Sequence, residues 1–200
     1  MGTRDVFINC PFDTNFKPLF HAIVFSVIRS GFIPRCAVEV DDSAQIRLTK
    51  IESIIEQCRY GVHDLSRTET DGDPPLPRFN MPLELGVFLG ARRYGDATQK
   101  RKRALILDTL PYRYQKFISD VAGQDIHAHN GKPAVAASVV ATWLRQHSKY
   151  ASIPGGTRIA QEFDAFMAVL PAFLDDRQLT MDEMTFGDFA DITRAYVDTL

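Results

Sequence analysis

Over its first two-thirds the chain alternates short apolar runs with amphipathic stretches. Val6-Phe7-Ile8 is continuously apolar, the pattern of a strand buried on both faces. Residues 18–29 follow with Leu19, Ile23 and Val27 at helical spacing, and Gly31 closes that helix. A second strand is predicted over 33–40. The clearest amphipathic helix spans 43–58, with Ile46, Ile51, Ile54 and Ile55 recurring between Arg47, Lys50 and Glu52. A third strand runs over 60–65. A polar loop over 66–78 carries Asp71-Gly72-Asp73-Pro74-Pro75 as turn chemistry. Pro82 sits in the first turn of a helix over 82–91, where its missing N–H costs little. A strand over 104–107, a short helix over 112–118, a short strand over 124–127 and a helix over 133–146 complete the series.

Alternation of this kind predicts a parallel sheet covered on both faces. The expected fold class is therefore α/β, a flavodoxin-like parallel sheet flanked by helices over residues 1–150, with the Val6 strand in its interior. Ser152-Ile153-Pro154-Gly155-Gly156 reads as a linker. Residues 151–200 read as a C-terminal helical appendage, with helices over 157–170 and 188–197 separated by Pro171 and the stretch 175–184. Phe163, Phe166, Phe173, Phe186 and Phe189 supply its apolar contacts. A segment so short buries little by itself. It is expected to pack on the main domain or on a second copy, and self-association is the expected outcome.

Composition narrows the class. An apolar fraction of 45% and 10% aromatics exclude a disordered chain. A formal charge of −2 gives no bulk attraction to nucleic acid or to an anionic membrane. Lys100-Arg101-Lys102-Arg103 is a local exception, read as a solvated loop before a strand, and nucleic acid is disfavoured as a partner. Three cysteines, Cys10, Cys36 and Cys58, show no metal spacing and suit a reducing compartment. The longest apolar stretch, around 19–28, contains His21 and Ser26 and is too short to span a bilayer. No signal peptide is read at the start, and a cytoplasmic location is the default expectation.

In an open α/β sheet, ligands sit at the carboxyl ends of the strands. That edge collects Asn9, Cys10, Pro11, Phe12 and Asp13, then Glu39, Asp41 and Asp42, then Asp64, Ser66 and Arg67, then Asn80, Met81, Pro82 and Glu84, then Asp108. Converging carboxylates push their pKa values apart, which acid–base or nucleophilic chemistry requires. Glu84 opens an apolar helix, either as a reactive group or as a charge complementing the helix dipole. Asp64 ends a strand, as a functional carboxylate or as a turn cap; Asp108 has the same two readings. Arg35 and Arg47 could neutralise phosphate, but a salt bridge to Glu39 or Asp42 is favoured for both. His127-Ala128-His129 with Asp120 and Asp125 is a weak metal pattern. Cys10 reads better as a small buried thiol than as a nucleophile. Neither GxGxxG nor GxxxxGK[ST] occurs, which disfavours ordinary ATP or NAD-redox chemistry.

Val6-Phe7-Ile8-Asn9 with a following Pro-Phe-Asp, a strand ending in Asp64 and the helix start Glu84-Leu85-Gly86 resemble the nucleoside 2-deoxyribosyltransferase and TIR-domain superfamily. The strings Phe-Ile-Asn-Cys-Pro-Phe and Phe-Asn-Met-Pro-x-Glu-Leu-Gly further resemble an uncharacterised bacterial group within it. The resemblance implies a Rossmann-like domain that cleaves an N-glycosidic bond by hydrolysis or transfer, with NAD or another nucleotide as substrate and no cofactor. It gives Glu84 the role of the carboxylate that meets the anomeric carbon and makes Asp64 its neighbour, a candidate acid. Asn9 and Asn80 are then candidates for sugar hydroxyls. Pro11 and Phe12 belong to the same edge, and Phe12 or Phe79 could stack on the base. Arg67 or Arg78 could meet a phosphate, and Asp108 completes the set. The Gly-Thr pair of the transferases and the Ser and Trp of TIR domains are absent before Glu84. Three readings follow: an N-glycosidase or transferase, a nucleotide-sensing module without chemistry, and a TIR-like oligomerisation module.

Overall fold

The computed structural model describes residues 2–39, 42–68, 70–71, 76–148 and 152–200. Strands β1 (Gly2–Asn9), β2 (Ile33–Cys36), β3 (Cys58–Asp64), β6 (Arg103–Asp108) and β7 (Ile126–Ala128) form one all-parallel sheet in the order β2-β1-β3-β6-β7. Between β3 and β6 lies a small antiparallel ribbon, β4 (Thr70–Asp71) with β5 (Leu76–Pro77). The main sheet has the doubly wound order of flavodoxin-like folds. Val6 pairs with Pro34 on one side and Tyr60 on the other, so β1 is interior as its apolar run implies.

The two-residue period of the strands decides which helix covers which face. Val6, Ile8, Val62, Leu105 and Leu107 face one core, built with α1 (Lys17–Arg29), α4 (Pro133–His147), α5 (Gly156–Asp176) and α6 (Phe186–Val197). Phe7 and Ile106 face the opposite side, against α2 (Arg47–Gln57) and α3 (Asn80–Tyr94).

Several expected elements differ in detail. β2 ends at Cys36 because Arg35 grips Glu39 at 2.8 and 2.7 Å, and Glu39 accepts the Cys36 N–H at 3.2 Å, which turns the chain. Val40 and Asp41 lie outside the described residues, as do the turn residues Gly72 to Pro75 and the 150/151 boundary. Helix α2 begins only at Arg47, since Ile46 is extended (φ −68, ψ 121). The short helix expected over 112–118 is a 3-10 turn, Arg113–Lys116. Pro171 does not break α5. Its turn is held by Leu170 and Leu174, both buried, and packing overrides the lost hydrogen bond. The basic run at 100–103 is not wholly solvated either. Lys102 is 1% exposed, its Nζ donates to the carbonyls of Ile55 and Cys58, and its ammonium lies 4.8 Å above the Phe88 ring. Burial lowers that amine to about 8.

The appendage continues the main core rather than forming its own. Ile159, Phe163, Phe166, Leu170 and Phe189 join the α1–α4 side, each worth roughly 2 kcal/mol of apolar burial. Gly156 lets α5 approach α4, since a Cβ there would lie 2.5 Å from the Ser138 carbonyl oxygen. Glu162, 6% exposed, is clamped by Arg29 at 2.7 Å and Arg158 at 2.6 Å, which ties α5 to α1. The aromatics of the tail are thus covered within one chain. Among the described residues no helix is long and apolar enough to cross a membrane.

Candidate functional site

From β1 the chain crosses through α1 to β2 on one side, and from β2 it returns through α2 to β3 on the other. The loops after β1 and β3 therefore diverge, and a crevice opens at their carboxyl ends. A cavity of about 300 Å³ occupies it. Cys10, Pro11, Phe12 and Asp13 line it from the β1 loop, Val38 from the β2 loop, and Arg47 from the head of α2. Arg78, Asn80, Met81 and Glu84 line it from the head of α3. A larger groove of about 380 Å³ runs beside Ile46, Thr49 and Lys50, but it belongs to α2 and its leading turn alone.

Glu84 is the chemical centre of the crevice. It is 8% exposed and has no hydrogen-bond or ion-pair partner among the described residues. Burial pushes its carboxyl up to about 7, against a downward pull from the Arg47 guanidinium. An unpartnered carboxylate in a concave site costs folding energy, which is the usual mark of a functional group. Arg47 and Arg78 are exposed and make no ion pair among the described residues; Glu39, an expected partner of Arg47, is taken by Arg35. Neither α2 nor α3 has a side-chain cap at its N-terminus. Two helix dipoles and two guanidiniums thus give the mouth a positive potential. Cys10, 2% exposed, is held neutral: burial, then the charges of Asp64, Cys36, Glu84 and Asp13, push its thiol well up.

Of the residues expected at the site, Glu84, Pro11, Phe12, Arg78 and Asn80 line the cavity, while Asn9, Asp64, Arg67 and Asp108 do not. Asn9 Nδ2 donates to the Met81 carbonyl at 2.8 Å and lies 3.1 Å from His63 Nδ1. It pins the first turn of α3 to the ends of β1 and β3, and so sets where Glu84 emerges one turn later. His63, wholly buried, is lowered to about 3 by burial and by Lys102. A Cβ on Gly61 would lie 2.6 Å from its Nε2 and 2.8 Å from Phe88, so this glycine permits the packing of α3 on β3.

Asp64 is 0% exposed, and one of its carboxylate oxygens is already committed. Oδ1 accepts the Ser66 backbone N–H at 2.9 Å and the Ser66 hydroxyl, and Oδ2 lies 3.0 Å from His129 Nε2. Gly131 N–H donates to His129 Nδ1 at 3.0 Å, so the ring proton of a neutral His129 sits on Nε2, which lies beside Asp64 Oδ2 without hydrogen-bonding it. The structure brings Asp64 and Glu84 into electrostatic reach of the same Cys10 thiol, without giving them a shared cavity wall. Arg67 bonds Asp13 at 3.1 Å and so laces the β3 loop to the β1 loop. Asp108, 0% exposed, accepts from Arg113 Nε at 2.7 Å and Thr109 N at 2.7 Å, and Arg113 goes on to the Leu65 carbonyl and Thr68. Burial raises the Asp108 carboxyl, against the pull of Arg113. These groups brace the edge; they do not open into it.

Among the described residues no group of His, Cys, Asp and Glu is placed to hold a metal ion. His127 is exposed, while His129 is buried against Asp64. The residues underweighted by the sequence reading are Arg47 and Val38. For Arg47 the available signal was its place at the start of a helix whose carboxylate neighbours had another cation to choose. No known protein family, curated protein or solved structure matches the chain.

Proposed function

We propose that the chain cleaves the N-glycosidic bond of a nucleotide, with Glu84 as the carboxylate facing the anomeric carbon. The observation that carries this reading is a buried, unpartnered Glu84 raised to about 7, opening into a crevice beside Arg47 and Arg78. The helix start Glu84-Leu85-Gly86, which resembles that of the deoxyribosyltransferase and TIR superfamily, supports the same role.

The chemistry follows from charge. As the bond between C1′ and the base nitrogen breaks, its electron pair leaves with the base and positive charge builds on the sugar. Ionised Glu84 stabilises that charge or bonds C1′ covalently, and water then releases the sugar. Desolvation strengthens the interaction. Arg47 and Arg78, with the uncapped heads of α2 and α3, are the groups to hold a phosphate. Arg67 is excluded from that role by its bond to Asp13. Asp64 acts as a positioning group, because it is wholly buried outside the cavity and its Oδ1 holds Ser66. Asp13, the other carboxylate lining the cavity, is paired with Arg67, and the described residues lack a further carboxyl there, so a base that leaves without protonation, such as a nicotinamide already bearing positive charge, suits this site best. The same lack favours one second reading, nucleotide binding without chemistry.

The test is incubation with a panel of nucleosides, mononucleotides and dinucleotides, read by mass for released base. Release by the native chain and its loss in Glu84→Gln is the expected result. Undiminished release by Glu84→Gln overturns the mechanism. Binding without release by the native chain moves the assignment to the sensing module.

A further inference from the structure

Beside the Glu84 crevice lies a second, apolar cleft of about 170 Å³, and it is built by the appendage. Phe20, His21 and Lys17 of α1 form its floor, and Met184, Thr185, Phe186 and Phe189 from the head of α6 form its far wall. Phe12 and Val38 belong to both this cleft and the Glu84 cavity, so the two abut across them. We infer that this cleft is a stacking subsite for a planar heteroaromatic ring of the ligand whose sugar and phosphate lie at Glu84, Arg47 and Arg78.

The inference rests on the glycosidase or nucleotide-binding reading above, and four observations carry it further. Phe12 packs edge-on against Phe20 at 5.3 Å (87°), and Phe186 lies against the same ring at 6.0 Å (33°). Among the described rings Phe12 and Phe186 do not pack on each other, and both line the cleft beside Phe20. Phe12 is 38% exposed, a large aromatic left partly in water at a cavity mouth. The polar atoms of the wall are largely spent. Lys17 Nζ donates to the Met181 carbonyl at 2.7 Å, and Thr185 is engaged with Asp188 in the capping box of α6. His21 stacks on Phe189 at 4.1 Å (13°), and burial, aided by Lys17, lowers it to about 4, so it lines the cleft as a neutral ring. An aromatic, hydrogen-bond-poor slot with one ammonium at its floor suits the π-face of a base. Alone it is too small for a whole ligand. Together with the Glu84 cavity it reaches the range of small-molecule sites, roughly 300–1,000 Å³. The tail is therefore a specificity element: α6 supplies a wall that the sheet edge lacks.

The test measures binding by calorimetry to the full chain, using ribose 5-phosphate, adenosine 5′-monophosphate and NAD. Phe186→Ala removes one face of the slot, and Phe186→Trp restores an aromatic face. Stacking on one aromatic ring is worth about tenfold in affinity. Phe186→Ala should weaken the two base-bearing probes about tenfold, Phe186→Trp should recover most of that, and ribose 5-phosphate should bind all three proteins alike. Equal weakening of all probes, no weakening of any, or no binding of the base-bearing probes to the native chain would overturn the subsite. If Phe186→Ala melts early, Met184→Trp, which fills the slot, must produce the same selective loss or the subsite is wrong. The two readings fail separately. Selective loss with no base released from any substrate leaves the subsite standing and removes the glycosidase. Release of base with identical KM in the native and Phe186→Ala chains leaves the glycosidase standing and removes the subsite.

Discussion

Replacing Glu84 with glutamine isolates what the native fold spends on a buried charge. The carboxyl moves from 4.5 to about 7 because burial disfavours its ionised form. Between those values the folded protein holds a proton that the unfolded chain has released, so the Glu84 contribution to native stability is most favourable below pH 4.5 and declines as pH rises through 7. Each pKa unit corresponds to about 1.4 kcal/mol, which gives roughly 3 kcal/mol across the window, and water in the open crevice trims this to about 2. Glutamine keeps the shape and removes the titration. The stability difference, variant minus native, should therefore rise by about 2 kcal/mol from pH 4.5 to pH 8 and stay flat above it. In a chain of this size that is about 4–8 °C in melting temperature at pH 8. Urea denaturation of both proteins at pH 4.5, 6 and 8 reads the difference directly, and titrations common to both proteins cancel. Cys10, the nearest thiol, stays neutral throughout. A flat difference curve, or one that falls with pH, would refute both the burial of an uncompensated charge and the case for Glu84 as the reactive group.

Arg47→Gln removes the cation that lowers the Glu84 pKa; the acid limb of any pH–rate profile should move to higher pH, and the affinity for phosphate-bearing ligands should fall. Asn9→Ala leaves the Met81 carbonyl and His63 Nδ1 without their donor, for an expected loss of about 1–3 kcal/mol by urea denaturation. Gly61→Ala forces a methyl against His63 and Phe88 at under 3 Å; a loss of about 1–3 kcal/mol is expected, with activity falling as α3 is displaced.

The sequence by itself determined the elements and the class. The apolar, β-branched and aromatic run Val6-Phe7-Ile8 before a polar loop reads as a strand with both faces covered, and the isoleucine spacing before Cys58 reads as a helix covering a sheet. Both are local patterns, set by the two-residue and 3.6-residue periods of the backbone. Strand–helix alternation then leaves few topologies. Glu84 was legible as well, because a carboxylate in an apolar helix start conflicts with its surroundings and needs a reason. Tertiary structure decided which carboxylates are free. Asp64 and Glu84 read alike along the chain, yet Asp64 is closed off by Ser66 and by His129, which arrives from beyond β7. Arg67 reads as a phosphate ligand until Asp13, brought across the crevice from the β1 loop, takes its charge. Arg47 reads as half of a salt bridge until Arg35 takes Glu39 first. Pro171 reads as a helix end until buried Leu170 and Leu174 hold its turn. In each case the deciding partner is selected by packing rather than by local backbone preference. The same holds for the appendage: nothing in Met184 or Phe186 announces a neighbour at Phe12, and only the docking of α6 on α1 brings them around one cleft.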